Sequence, residues 1–171
     1  MASRRLWGRA LDVAAVVVVL AAVARFVVIP RLTHPAPAVA PAVALQRIDG
    51  STFSLANYRG KLVFLDFWAT WCDPCRASIP LVQKFKRDHP EAVVISVDAG
   101  ETPAIVAPFV KQFAMRDVAL DPDERARKQF GVSGFPTMIV IDPHGTIRAS
   151  WPGYDPDIEK AMADAQRRWS G

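Results

Sequence analysis

Apolar and polar positions divide the chain into three regimes. Residues 13–24 carry no polar side chain, and after Arg25 the apolar run resumes through Phe26, Val27, Val28 and Ile29 to Pro30. Counted over 11–29 this makes 19 residues. As a helix rising ~1.5 Å per residue it would be about 28 Å long, enough to span a bilayer. Asp12 and Arg25 fall near its edges, where long side chains reach back to water. The segment has no amphipathic face, so it does not read as a core helix. Residues 34–44, HPAPAVAPAVA, follow as a Pro/Ala spacer whose prolines deny a regular helix and favour an extended stalk.

From Leu45 onward the pattern alternates between strand and helix signals. Residues 45–48 and 51–54, joined around Asp49 and Gly50, predict a small hairpin. Residues 62–67 form an apolar run broken by Asp66 alone, the mark of a buried central strand. A helix is expected over 74–88, a second buried strand over 92–97, and a helix over 102–115 with Thr102 as N-cap before Pro103. A short strand at 118–120, a helix at 122–130 ended by Gly131, and a strand pair at 137–141 and 146–151 follow. Asp155-Pro156 opens a last helix running towards Trp169. This order predicts one α/β domain, a mixed central sheet flanked by helices with an N-terminal β-hairpin extension.

Charge sharpens the division. The chain of 171 residues has a formal net charge of +4 and a pI near 9.4. Residues 1–31 hold Arg4, Arg5, Arg9, Arg25 and Arg31 against Asp12, which leaves 16 basic and 16 acidic residues over 32–171. The body is neutral, so nucleic acid is excluded as a partner on electrostatic grounds. Arginines ahead of the apolar run favour a cytoplasmic N-terminus and delivery of the body across the membrane. Residues 1–31 are therefore a membrane anchor, or alternatively a signal segment cleaved after a site such as Ala22-Val23-Ala24.

The chemistry is concentrated at Trp71-Cys72-Asp73-Pro74-Cys75. Two cysteines separated by two residues at a strand-to-helix junction form a reversible dithiol. The helix N-terminus directs backbone N–H groups at the first sulfur and favours its thiolate. Cys72 is the expected exposed nucleophile and Cys75 the resolving thiol. Pro74 fits a first helical turn, where its missing N–H is no loss. Asp66, six residues before Cys72, is expected to be buried, to have a raised pKa and to exchange a proton with Cys75. An exposed strand-end aspartate is the alternative. Pro136 in Gly134-Phe135-Pro136-Thr137 enters a strand either as its first residue or in cis. A cis bond beside the dithiol would offer the Phe135 backbone to an extended substrate. Trp71, next to the nucleophile, would form a wall of that groove or pack in the core.

The stretch 64–75, FLDFWATWCDPC, together with Gly134-Phe135-Pro136-Thr137, resembles the thioredoxin superfamily, and within it the membrane-anchored TlpA/ResA-type thiol–disulfide oxidoreductases. Residues 55–61, Ser96-Val97-Asp98 and Asp142-Pro143-His144-Gly145 extend the resemblance over about 45–168. It implies a thioredoxin fold over 45–171, a linker over 32–44, a cis Pro136, and no cofactor beyond a redox-active Cys72–Cys75 disulfide. It also implies protein disulfide substrates, a membrane or periplasmic thiol as electron donor, and a catalytic domain held in the periplasm by one N-terminal anchor. Apocytochrome c is a frequent substrate of such proteins. One departure stands out: ResA-type members carry glutamate six residues after the first cysteine, where this chain has Ser78. Their usual asparagine is replaced here by Asp66, which moves the buried acid to the thioredoxin position.

Two other readings use the same cysteines. A net oxidant of the DsbA type inserts a long helical domain before the cis-proline, and the 58 residues between Cys75 and Gly134 leave little room for one. A Cu(I) carrier would hold the metal on the two thiolates. A zinc site would need two further ligands, which His34, His89 and His144 do not supply from spacer and turn positions, so no metal is assigned.

Overall fold

Strand β4 (Val63–Trp68) is buried along its whole length, including Asp66. In the computed structural model, which describes residues 38–170, that run lies at the centre of an eight-stranded sheet ordered β1-β8-β7-β4-β5-β6-β2-β3. β4 pairs in parallel with β5 (Val93–Ala99), with Trp68 opposite Asp98. On its other side it pairs antiparallel with β7 (Thr137–Ile141), with Phe67 opposite Thr137. β6 (Val118–Asp121) continues the parallel set, and β8 (Thr146–Pro152) the antiparallel one. The hairpin of β2 (Ala44–Arg47) and β3 (Thr52–Ser54) closes the β6 side. This is the mixed sheet with a hairpin extension that the periodicity predicts.

Alternation along β4 sends its side chains to two faces. Val63, Leu65 and Phe67 join Ile95, Val97, Ala119, Ile139 and Ile141 in one core. Ala126 of the short helix α3 (Arg125–Gln129) packs there with Phe53 and Leu55. Phe64, Asp66 and Trp68 face the other way. Helix α1 (Asp73–Asp88) covers that face, placing Val82 and Phe85 on Phe64, with Met162 and Ala165 of α4 (Ile158–Trp169) beside them. Helix α2 (Pro103–Gln112) stacks Phe109 against Trp68, ring centroids 5.1 Å apart.

Three boundaries differ from expectation. The spacer was expected to run to residue 44, yet β1 (Ala38–Val39) pairs antiparallel with β8 at Ile147 and Thr146, and Ala40 and Val43 are buried. Small apolar side chains between the prolines fit the sheet edge, so this half of the spacer is part of the fold. The expected helix at 122–130 is reduced to α3. Asp121 accepts from the amides of Ala126 and Arg127 at 3.1 and 2.8 Å, and Glu124 adopts a left-handed φ of 56°, so the helix starts late. The helix expected to reach 115 ends at Gln112, because Ala114 is left-handed at φ 48°. Thr102 sits at the N-cap with Pro103 behind it, but its side chain makes no capping bond.

The anchor assigned to residues 1–31 and the first half of the spacer lie outside the described residues. No helix among those described is long and apolar enough to cross a membrane.

Phe85 is fully buried and meets Phe64 edge-on at 5.3 Å, which anchors α1 on the sheet. Phe85→Ala is expected to lower unfolding free energy by about 3–5 kcal/mol, read from denaturant titration of the oxidised protein.

Candidate redox-active site

The turn from β4 into α1 carries both cysteines. Cys72 is the N-cap of α1, and its Sγ accepts the Cys75 N–H at 3.2 Å. Pro74 lies in the first turn. The two sulfurs form a disulfide with their Cα atoms 5.2 Å apart. Cys72 was expected to be exposed, and in this oxidised form it is not: it retains 4 % exposure against 1 % for Cys75. Its sulfur is turned inward onto Cys75 and the helix amide, which closes it off from the surface. Asp73, beside the pair, is exposed and has Arg76 at 3.7 Å, so water and a counter-charge screen it from the sulfurs.

The second loop of the site is Gly134-Phe135-Pro136-Thr137. The Phe135–Pro136 peptide is cis. The pairing of Phe67 with Thr137 brings this loop to the end of β4 from which the cysteine turn departs. Trp71, 67 % exposed, meets Phe135 edge-on at 5.8 Å and joins the two loops directly. Trp71 is therefore not packed in the core. Arg127 lies over the Phe135 ring at 5.1 Å and is itself held by the Val132 carbonyl and the Glu124 carboxylate. The Pro136 carbonyl accepts the Gly153 N–H at 2.7 Å, and Thr137 Oγ1 donates to the Gly134 carbonyl at 2.8 Å.

Asp66 is buried, as its apolar flanks require, on the sheet face that α1 covers. It lines a cleft of about 630 Å³ shared with Ile79, Val82, Lys86, Ser96 and Met115. Burial pushes its pKa up to about 7, with the Lys86 ammonium pulling in the opposite direction. Lys86 is fixed there by the carbonyls of Val94 and Arg116 and the carboxylate of Asp117. Ser78 is buried in α1.

Three residues of the site carry no mark in the cysteine motif. Glu101 accepts the Thr70 N–H at 2.6 Å and the Thr70 hydroxyl at 2.7 Å, while Arg76 donates to the Thr70 carbonyl at 2.9 Å. Behind Glu101, Asp98 is completely buried at the end of β5. Its position was visible in the sequence as an acid closing the run VVISVDA, the same signal that singled out Asp66. No group of three or more His, Cys, Asp or Glu able to hold a metal ion occurs among the described residues.

A raised pKa at Asp66 has a definite consequence for stability. The folded chain keeps a proton up to about pH 7 that the unfolded chain loses at about pH 4, so stability falls as pH rises through that window. Asp66→Asn is expected to leave stability at pH 3 unchanged and to raise it by roughly 2 to 4 kcal/mol at pH 8. Urea titrations of both proteins at the two pH values, without reductant, measure the difference.

Comparison with known proteins agrees with this geometry. Residues 37–150 match the AhpC/TSA family. The thiol–disulfide oxidoreductase ResA of Bacillus thuringiensis subsp. konkukian is 37 % identical over 113 residues, 63 % of this chain and 64 % of that protein. The chain thus spans just under two thirds of this relative's length. A Chlorobium tepidum protein ascribed to the DsbE thiol:disulfide interchange type superposes with a TM-score of 0.74 at 28 % identity, covering 81 % of this chain and all of that one. The exposed lipoprotein thioredoxin Etrx1 of Streptococcus pneumoniae gives a TM-score of 0.65 at 27 % identity, over 74 % of this chain and 98 % of that one. The cysteine turn capping α1, the cis-proline loop beside it and the mixed sheet beneath both are those of a thioredoxin fold, and the chain belongs to the AhpC/TSA family within the thioredoxin superfamily, with ResA-type proteins among its relatives.

Proposed function

We propose that the chain is an extracytoplasmic thiol–disulfide oxidoreductase that reduces protein disulfides. The observation that carries this reading is the Cys72–Cys75 disulfide at the N-terminus of α1, flanked by Trp71 and Phe135. In the reduced protein the Cys72 thiolate attacks a substrate disulfide. One substrate sulfur leaves as a thiolate, and Cys72 is joined to the other. Cys75 gives its proton to the Asp66 carboxylate and attacks Cys72 Sγ, which releases the second substrate thiolate and forms the Cys72–Cys75 disulfide. Two electrons pass to the substrate, whose thiolates take up protons. A thiol donor of the membrane or periplasm must then return two electrons to the dithiol.

The substrate is read as an extended polypeptide lying against Trp71, Phe135 and Pro136, with Pro74 shaping the cysteine turn. The backbone N–H and carbonyl of Phe135 make no hydrogen bond among the described residues, which leaves them for a substrate strand. Residues 1–31 act as membrane anchor or cleaved signal, and the compartment outside the cytoplasm follows from them. The exposed lipoprotein among the structural relatives supports that placement. Ser78 occupies the position where ResA-type proteins carry glutamate, so the proposal is for protein disulfides in general, with apocytochrome c one substrate among them.

Equilibration of the chain with glutathione or dithiothreitol buffers tests the reading. A reduction potential of about −270 mV or below is expected, whereas about −120 mV would make the protein an oxidant. Failure to form the Cys72–Cys75 disulfide at any poise would overturn both and favour a Cu(I) carrier. Cys75→Ser is expected to accumulate a mixed disulfide on Cys72 with insulin, visible as a reductant-sensitive adduct, and Cys72→Ser to form none.

A further inference from the structure

Asp98 and Glu101 are two buried carboxyls one turn apart in the chain, directly behind the cysteine loop. Both oxygens of Glu101 are occupied by Thr70, two residues before Cys72: one accepts its N–H and the other its hydroxyl. Both oxygens of Asp98 are shut off from solvent and meet no well-aligned N–H or O–H donor among the described residues. Charging a carboxyl in such a place, with no donor or cation beside it, is unfavourable, so Asp98 is suited to hold a proton.

We propose that Asp98 and Glu101 form a positioning pair for the redox loop: Asp98 keeps a proton and donates it to Glu101, which fixes the Glu101 oxygens on the amide and hydroxyl of Thr70. Every neighbouring charge favours this arrangement. Burial first, then the hydrogen bond to the Glu101 carboxyl and its charge, push Asp98 up to about 8, the nearby Glu101 amide opposing, with a smaller upward push from Asp121 on β6. Glu124, ahead of α3, sits over Gly100 and is paired with Arg127. On α1, Arg76 is committed to the Thr70 carbonyl and to the face of Phe109. Helix α2 offers Val106, Phe109 and Val110 to this core, and β4 offers Trp68 opposite Asp98, with Asp66 two residues before it. No cation neutralises Asp98 from any of these elements.

The consequence for rate rests on the oxidoreductase reading, while the pairing itself is tested without turnover. In the oxidised full chain, the Thr70 amide proton followed by NMR is expected far downfield at pH 6 and to shift with a midpoint near pH 8, when loss of the Asp98 proton removes the bond that orients Glu101. Asp98→Asn, whose carboxamide donates at every pH, should retain the downfield position and lose the pH step. Glu101→Gln should move the signal upfield at all pH values. It should also slow attack of Cys72 on a protein disulfide roughly tenfold, the order expected for losing a bond to a charged acceptor. Asp98→Asn should keep close to the unsubstituted rate at pH 7. A Thr70 amide indifferent to pH, or a step that persists in Asp98→Asn, overturns the pairing. Absence of disulfide reduction by the unsubstituted chain would refute the oxidoreductase reading and leave the Thr70 titration to decide the pair.

Discussion

The site depends on one mechanical constraint: the chain must leave a fully buried central strand and, within four residues, become the first turn of a helix. β4 is paired on both sides, so its end cannot move. α1 is fixed by Phe85 and Val82 against the same sheet. The turn between them is held by Cys72, whose sulfur caps the helix, and by Thr70, whose amide, hydroxyl and carbonyl are all engaged. A loop with every polar group of its pivot residue bonded has little freedom left, and the sulfur it carries is therefore presented in one orientation.

Burial of acids is the energetic counterpart of that precision. Asp66 and Asp98 lie on the same face of the sheet on adjacent strands, each where an apolar residue would pack more cheaply. Both have raised pKa values, so each weakens the fold as pH rises. A core that retains two such residues behind a dithiol gives up stability for proton-holding groups, the usual trade at a functional site.

Much of this was legible in the sequence because the decisive signals are local. The apolar run interrupted by Asp66 alone identified both a buried strand and a buried acid, and the cysteine spacing identified the helix start. The misplaced boundaries have long-range causes. Ala38 and Val39 become a strand through β8, more than a hundred residues away, and nothing in HPAPAVA announces that partner. The late start of α3 follows from a side chain, Asp121, that competes for its first amides. Glu101 went unnoticed because its partner lies 31 residues upstream. Asp98 carried the same signal as Asp66, but the motif drew attention to the strand that feeds the cysteines and away from its neighbour.

The two acids nevertheless differ in a way that separates their tasks. Asp66 borders a cleft reaching the surface past Lys86 and Arg87, so a proton on its carboxyl has a route to water. Asp98 is sealed, with zero exposure, and its polar neighbour is Glu101. An acid that must load and unload at each turnover needs access, whereas an acid that orients another group works best without it. The same chemical group, one strand apart, is thus suited to move a proton in one case and to keep one in the other. Lys86, tethered by three acceptors at the cleft, holds its charge at a fixed place near Asp66, and among the described residues no cation lowers Asp98 in the same way.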